Sequence, residues 1–465
     1  MSGPTSLTRS VAEFVSKLAP GDIPKQAFDI AALGFTDVIG VMIAGTNEPV
    51  TRIVEGTVRE LGSAGAVSVA LSDRHLTAPD AALVNGCAAH ALDYDDAGGH
   101  RSAVLVPALL AEGEELGSSG EQLAVAYVAG YEAWSELARR EKGQLHERGL
   151  HPTGIYGAVA TAAAIANLRG LTVEHASAAL GIAASGANGL VANFGSMTKP
   201  FHAGQSARTG VIAARLATHG MTSSRTVFEH PRGFLPAISQ HGDYDSESPV
   251  RLGREWRIGV EGLSIKKYPT CYCTHRSIDS ALALHGEGID PDAIARIDVH
   301  IGKTQKAILH ADSPHTALEA KFSIQFAAAC ALQIGRVSLM EVDDSVVNDP
   351  ALQRLMSRVQ IELTDEYDSL MHQYAPWDRI SVVLSTGETR KGPEVKRARG
   401  HIENPVSTAE LRAKFMECLQ YGRSAIDGPR LFSALQDLVY QPAGWIRTHV
   451  APQALLSPHP KQVTL

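Results

Sequence analysis

The stretch "HPTGIYGAVATAAAIANLRG", residues 151–170, decides the fold class. Its apolar positions are small and contiguous, with almost no β-branched alternation, which argues against a strand with one wet face. Alanine and glycine let helix backbones approach closely, as a helix buried within a large bundle requires. "HASAALGIAASGANG", 175–189, repeats this texture. Further out, "IPKQAFDIAALGFTDVIGVMIAG", 23–45, spaces its apolar residues by three and four between Pro24 and Gly45. Residues from about 8 to 255 therefore read as helix after helix.

The pattern changes after Gly259. "ARIDVHIG" alternates Ile297, Val299 and Ile301 with polar neighbours, a period-two strand signal. "RVQIELTD" and "RISVVLSTGETRKG" repeat it, the latter around a Thr-Gly turn. Helical segments such as "KFSIQFAAACALQIG" lie between them. The expected architecture has two domains: a large all-α helical domain and a smaller inserted α+β domain. Residues 1–262 form the first part of the helical domain, 263–403 the α+β lid, and 404–465 a helical return.

A chain of 465 residues exceeds the usual size of a single core, so two domains agree with its length. Hydrophobic residues at 44% supply ample core. The net charge of −8, without a Lys/Arg run, argues against nucleic-acid binding. An anionic substrate would need cations gathered locally. Five cysteines without a CxxC imply no disulfide framework. The N-terminus carries no secretory h-region, and no apolar run is read as reaching the roughly 20 residues of a membrane span. A cytoplasmic enzyme with no membrane association is expected.

"HALDYDDAGGHRS", starting at His90, packs Asp93, Asp95, Asp96 and two imidazoles into eleven residues. Asp95 and Asp96 with His90 or His100 offer metal ligands, but the spacing fits no standard metal loop. Asp96 can cap the helix that begins near Ser102, and an acid/base cluster lining a pocket is the third reading. His151 precedes Pro152 at a helix start, where unpaired N–H groups favour an anion. Lys199 and His202 in "GSMTKPFHAGQSARTG" lie at another helix start. "LSIKKYPTCYCTHRSID" adds Lys266, His275 and Arg276. Its Cys271 and Cys273 lack a second cysteine pair to complete a zinc site. A desolvated Lys266 near other cations is expected to have a lowered pKa and to accept protons.

Taken together, "HALDYDD", "HPTGIYGA", "MTKPFHAGQSARTG", "EHPRGF", "IKKYP…TH" and "AKFSIQFAAACAL" resemble the MmgE/PrpD family. That family includes 2-methylcitrate dehydratases, cis-aconitate decarboxylases and an iminodisuccinate epimerase. The resemblance implies a metal-free, cofactor-independent homodimer acting on a small polycarboxylate, with its site between the domains. Carried over by motif, the site comprises Asp93, His100, His151, Lys199, Lys266 and His275. Lys266, rather than Lys267, matches the K-x-Tyr-Pro pattern.

The chain departs from the family at Ala97, where a threonine is usual, and at Phe326, where a tyrosine is frequent. Arg101 stands where the pattern has proline and adds a charge suited to a carboxylate. These departures favour inversion of a stereocentre α to a carboxylate, as in an iminodisuccinate epimerase, through proton abstraction and return. Lys266 and His151 (or His100) would transfer protons, with Asp93 orienting an imidazole. Lys199, Arg101, Arg276, His275 and His202 would bind substrate. A 2-methylcitrate-type dehydratase is the alternative, followed by a cis-aconitate decarboxylase. A scaffold that has lost catalysis is disfavoured, because packing requires none of these side chains.

Overall fold

The computed structural model describes residues 6–142, 145–239, 242–369, 371 and 374–450. The end of the expected helical return, 451–465, lies outside them. The helices of the first half are α1 (Leu7–Lys17), α2 (Lys25–Gly45), α3 (Pro49–Glu60), α4 (Ala78–Ala91) and α5 (Arg101–Leu116). They continue with α6 (Gly120–Glu141), α7 (Pro152–Leu168), α8 (Val173–Gly186) and α9 (Thr198–Thr218). Their starts carry local signals. Ser119 and Gln122 form a reciprocal cap on α6, and Thr172 caps α8.

The small residues act at the helix crossings. A Cβ on Gly204 of α9 would lie 2.2 Å from the carbonyl oxygen of Leu83 in α4, and one on Gly86 would lie 2.7 Å from Gly204 Cα. Only glycine permits that approach. The helix α2 corrects the reading of the apolar runs: at 21 residues it is long and apolar enough to cross a membrane. Most of it is buried against protein, as a core helix is. Continuous helix to residue 255 is also corrected. Among the described residues, 219–256 are mainly turns and loop around the short helix Phe234–Ile238. Pro231 and Gly233 in "EHPRGF" punctuate that tract.

The second half carries α10 (His275–Gly286) and α11 (Ile324–Ile334) against a four-stranded mixed sheet. Its strands are β1 (Ile294–Gly302), β2 (Val359–Thr364), β3 (Arg379–Leu384) and β4 (Thr389–Lys391), in spatial order β2-β1-β3-β4. β1 runs parallel to β2, with Ile297 opposite Val359, and antiparallel to β3, with Ile297 opposite Val382. Ile297, Val299 and Ile301 all face the core, so the period-two reading located these strands closely. The chain ends in α12 (Thr408–Tyr421) and α13 (Gly428–Gln436).

One apolar core gathers residues between Leu7 and Ile265 and takes in Leu411, Phe415, Leu419 and Leu431 from the last helices. A second gathers residues between Tyr268 and Val382. A small third cluster, including Val41, Leu92, Tyr94, Leu339 and Cys418, joins the two. The polar site is built next to that junction.

Candidate active site

The site begins where α4 ends. Asp93 leaves the helix with φ +52°, and His100 enters α5 with φ +61°. Both are non-glycine residues in the left-handed region, where Asp and His are tolerated better than most. The turn they bracket draws three carboxylates inward, and Asp93, Asp95 and Asp96 are all buried.

Asp93 is the electrostatic centre. Its Oδ1 accepts from Lys199 Nζ at 2.6 Å, and its Oδ2 lies 3.0 Å from Lys266 Nζ. Lys266 also donates to the Asp93 carbonyl at 2.7 Å. Burial opposes the charge on Asp93, yet the two ammoniums hold its carboxyl far below the usual range. The expectation for Lys266 is thereby corrected. Burial alone would lower its pKa, but Asp93 and then Asp95 more than offset this, and the net shift is upward. The paired carboxylate thus favours the charged ammonium of Lys266. Lys199, at a turn where lysines are usually solvated, is buried under the rings of Phe194 and Phe322.

Asp95 binds two imidazoles. His90 Nδ1 lies 2.9 Å from its Oδ1, and His100 Nδ1 lies 2.7 Å from its Oδ2. The two rings are 4.3 Å apart, and that of His151 is 6.1 Å from His90. His151 spends Nδ1 on His202 Nδ1 at 3.1 Å and packs its ring edge against Phe194. Burial, and then neighbouring positive groups, pull His151 well below its ordinary pKa. Burial pushes His90 down to about 4 despite Asp95. These effects favour the neutral ring of His151.

Asp96 turns away to cap α5, accepting from the Ser102 N–H at 3.2 Å. Burial and then the charge of Asp95 push it up to about 8. His90, Asp93, Asp95 and His100 each offer a ligand atom within 4.8 Å of the others. Two ammoniums already neutralise Asp93, so a dication there must displace them or lie against them.

His275 lies behind Lys266, fully buried between Tyr268 and Tyr272, with Nε2 3.3 Å from the Thr270 carbonyl. Burial and then the Lys266 charge press it to about 3. Two expected carboxylate-binding residues are placed otherwise. Arg101 donates to Glu261 at 2.6 Å and stacks on Tyr131. Arg276 donates to Asp378 at 2.7 Å and to the Ala375 carbonyl at 2.9 Å. Arg276 thus pairs with Asp378, and Arg101 shares Glu261 with Arg257; both guanidiniums hold structure together. Sequence reasoning missed Lys414 of α12, which pairs with Asp37 at 2.6 Å and donates to the carbonyls of Tyr94 (2.7 Å) and Lys266 (2.8 Å). No local motif marks it, because its partners are more than 140 residues away in sequence.

Comparison with known proteins matches both halves of the chain that supplies these lysines and imidazoles. The MmgE/PrpD N-terminal domain matches residues 9–247 and the C-terminal domain residues 268–427. The chain belongs to the MmgE/PrpD family. Among its MmgE/PrpD relatives, it is similar to the cis-aconitate decarboxylase of Homo sapiens, 27% identical over 426 residues, covering 88% of this chain and 87% of the relative. The Mus musculus cis-aconitate decarboxylase is 27% identical over 431 residues, with 88% and 86% covered. That of Aspergillus terreus is 26% identical over 395 residues, with 78% and 80% covered. The MmgE/PrpD C-terminal match runs to residue 427 and so includes α12, which packs on the first core.

Proposed function

We propose that this chain is a cofactor-independent lyase that removes carbon dioxide or water from a small polycarboxylate. The observation that carries the proposal is the convergence of Lys199 and Lys266 on buried Asp93 beside neutral His151. Such a site stabilises negative charge as it develops next to a carboxylate, the shared requirement of both reactions. A substrate carboxylate meets the two ammoniums, while Asp93 holds both in place.

In decarboxylation the C–C bond electrons stay on the carbon that loses carbon dioxide and spread into a neighbouring carboxylate held by lysine. A proton is then delivered to that carbon. Asp95 accepts from His100 Nδ1–H, so His100 delivers this proton from Nε2 as the imidazolium, whose charge Asp95 stabilises. In dehydration His151 takes the α-proton, and the leaving hydroxide departs as water with the His100 proton. Decarboxylation comes first in this proposal because relatives bearing that name align over most of the chain.

Epimerisation needs the same carbanion without a leaving group, and the missing hydroxyls at Ala97 and Phe326 favour it as a second reading. Its other support weakens, since Arg101 is engaged by Glu261 and stacked on Tyr131. The test is to incubate the protein in D₂O with cis-aconitate, 2-methylcitrate and single stereoisomers of iminodisuccinate, followed by NMR. Carbon dioxide release with a deuterated alkene product supports decarboxylation, and a new alkene from methylcitrate supports dehydration. Loss of chirality with deuterium uptake and no lyase turnover would overturn the proposal in favour of epimerisation.

A further inference from the structure

Lys321 opens the segment "KFSIQF", and three contacts tie it to the wall that holds Asp93. Its Nζ donates to the carbonyl of Ala91 at 3.3 Å. Ala91 ends α4, two residues before Asp93. The next side chain, Phe322, lies under Lys199 Nζ at 5.8 Å. The Lys321 carbonyl accepts from the N–H of Cys271 at 2.8 Å, in the loop that follows Lys266. The residue is only 6% exposed.

What distinguishes Lys321 is the lack of a counterion. Lys199 and Lys266 share Asp93, and Lys414 has Asp37. Among the described residues no carboxylate forms an ion pair with Lys321. An ammonium has three donors, and here a single carbonyl bond satisfies one of them. Burial lowers its pKa; Glu48 and Asp93 oppose that from a distance, and Lys199 and Lys266 reinforce it. A buried ammonium of this kind has already lost its water, so an incoming carboxylate gains more from it than from a solvated lysine.

We propose that Lys321 binds a further carboxylate of the substrate, at a subsite distinct from the Lys199–Lys266 pair. It thereby selects molecules with more than one carboxylate spaced to reach both subsites. This inference rests on the polycarboxylate reading of the site.

The test uses propane-1,2,3-tricarboxylate and glutarate, which do not turn over, as probes in titration calorimetry. Wild-type protein, Lys321→Met and Lys321→Gln are compared; the Gln variant keeps a donor for the Ala91 carbonyl. Wild type is expected to favour the tricarboxylate, and both variants to bind it about tenfold to a hundredfold more weakly, the loss of one charge-assisted bond. The preference over glutarate should shrink accordingly. Thermal unfolding of Lys321→Met should be unchanged or shifted upward, because an apolar chain replaces an unpaired buried charge. A purely structural lysine would show the reverse pattern, with lowered melting and unchanged affinity, and that result overturns the inference. If wild type binds neither probe, the polycarboxylate reading itself fails.

Discussion

At the scale of the residue, the site works by setting charge states against one another. His151 stays neutral, and Asp93 stays ionised between two ammoniums. His151→Asn should keep a polar group against His202 yet lower kcat by roughly a hundredfold to ten-thousandfold, the range for a general acid–base. Turnover within a few fold of wild type would remove it from proton transfer. Asp96 gives a pH signature of opposite origin. Its carboxyl is held up to about 8 by burial, so between about pH 4 and 8 the folded state binds a proton that the unfolded state does not. Its stabilising contribution is full at pH 4 and lost progressively as pH rises toward 8. Asp96→Asn lacks that loss, so its melting temperature relative to wild type should climb from pH 5 to 8 and level off above. A constant difference would refute the protonated cap. Much of this site was legible: Asp93, His100, His151, Lys199, His202 and Lys266 were all named from motifs, and they meet. Charge states and pairings were not. The sign of the Lys266 shift depends on Asp93, and the roles of Arg101 and Arg276 depend on Glu261 and Asp378, which lie 160 and 102 residues away.

At the scale of the element, the packing of small residues decides. Gly204→Ala places a methyl group against Leu83 and Cys87 of α4, so α4 and α9 must separate. The expected cost is about 1–3 kcal/mol by thermal or denaturant unfolding. Gly56 of α3 is the control, because a Cβ there meets nothing within 4 Å. Gly56→Ala should stabilise by about 0.5–1 kcal/mol, since alanine loses less backbone freedom in a helix. Equal effects at the two positions would contradict the crossing geometry. The sequence marked these helices through their composition and the strands through alternation at Ile297, Val299 and Ile301. It misjudged 219–256, where apolar residues such as Phe228, Phe234 and Leu235 dock a looping tract onto the core. Burial of isolated apolar residues carries no period to read.

At the scale of the whole molecule, Lys414 connects the last helices to the turn that carries Asp93 and Asp95. Lys414→Met strands Asp37 in the interior, and the expected loss of stability is roughly 3–5 kcal/mol. Adding Asp37→Leu should restore most of that stability. Turnover should stay depressed in the double variant, because the carbonyls of Tyr94 and Lys266 still lack their donor. Full activity in the double variant would show that Lys414 serves stability alone. One ammonium also imposes an order in time. Synthesis runs from the N-terminus, so the residues from His90 to Lys266 leave the ribosome well before residue 414. Until α12 emerges and docks, the turn and the lysine it positions lack the cation that bonds both their backbones. The backbone of that turn and of Lys266 therefore gains its shared donor only after α12 has docked.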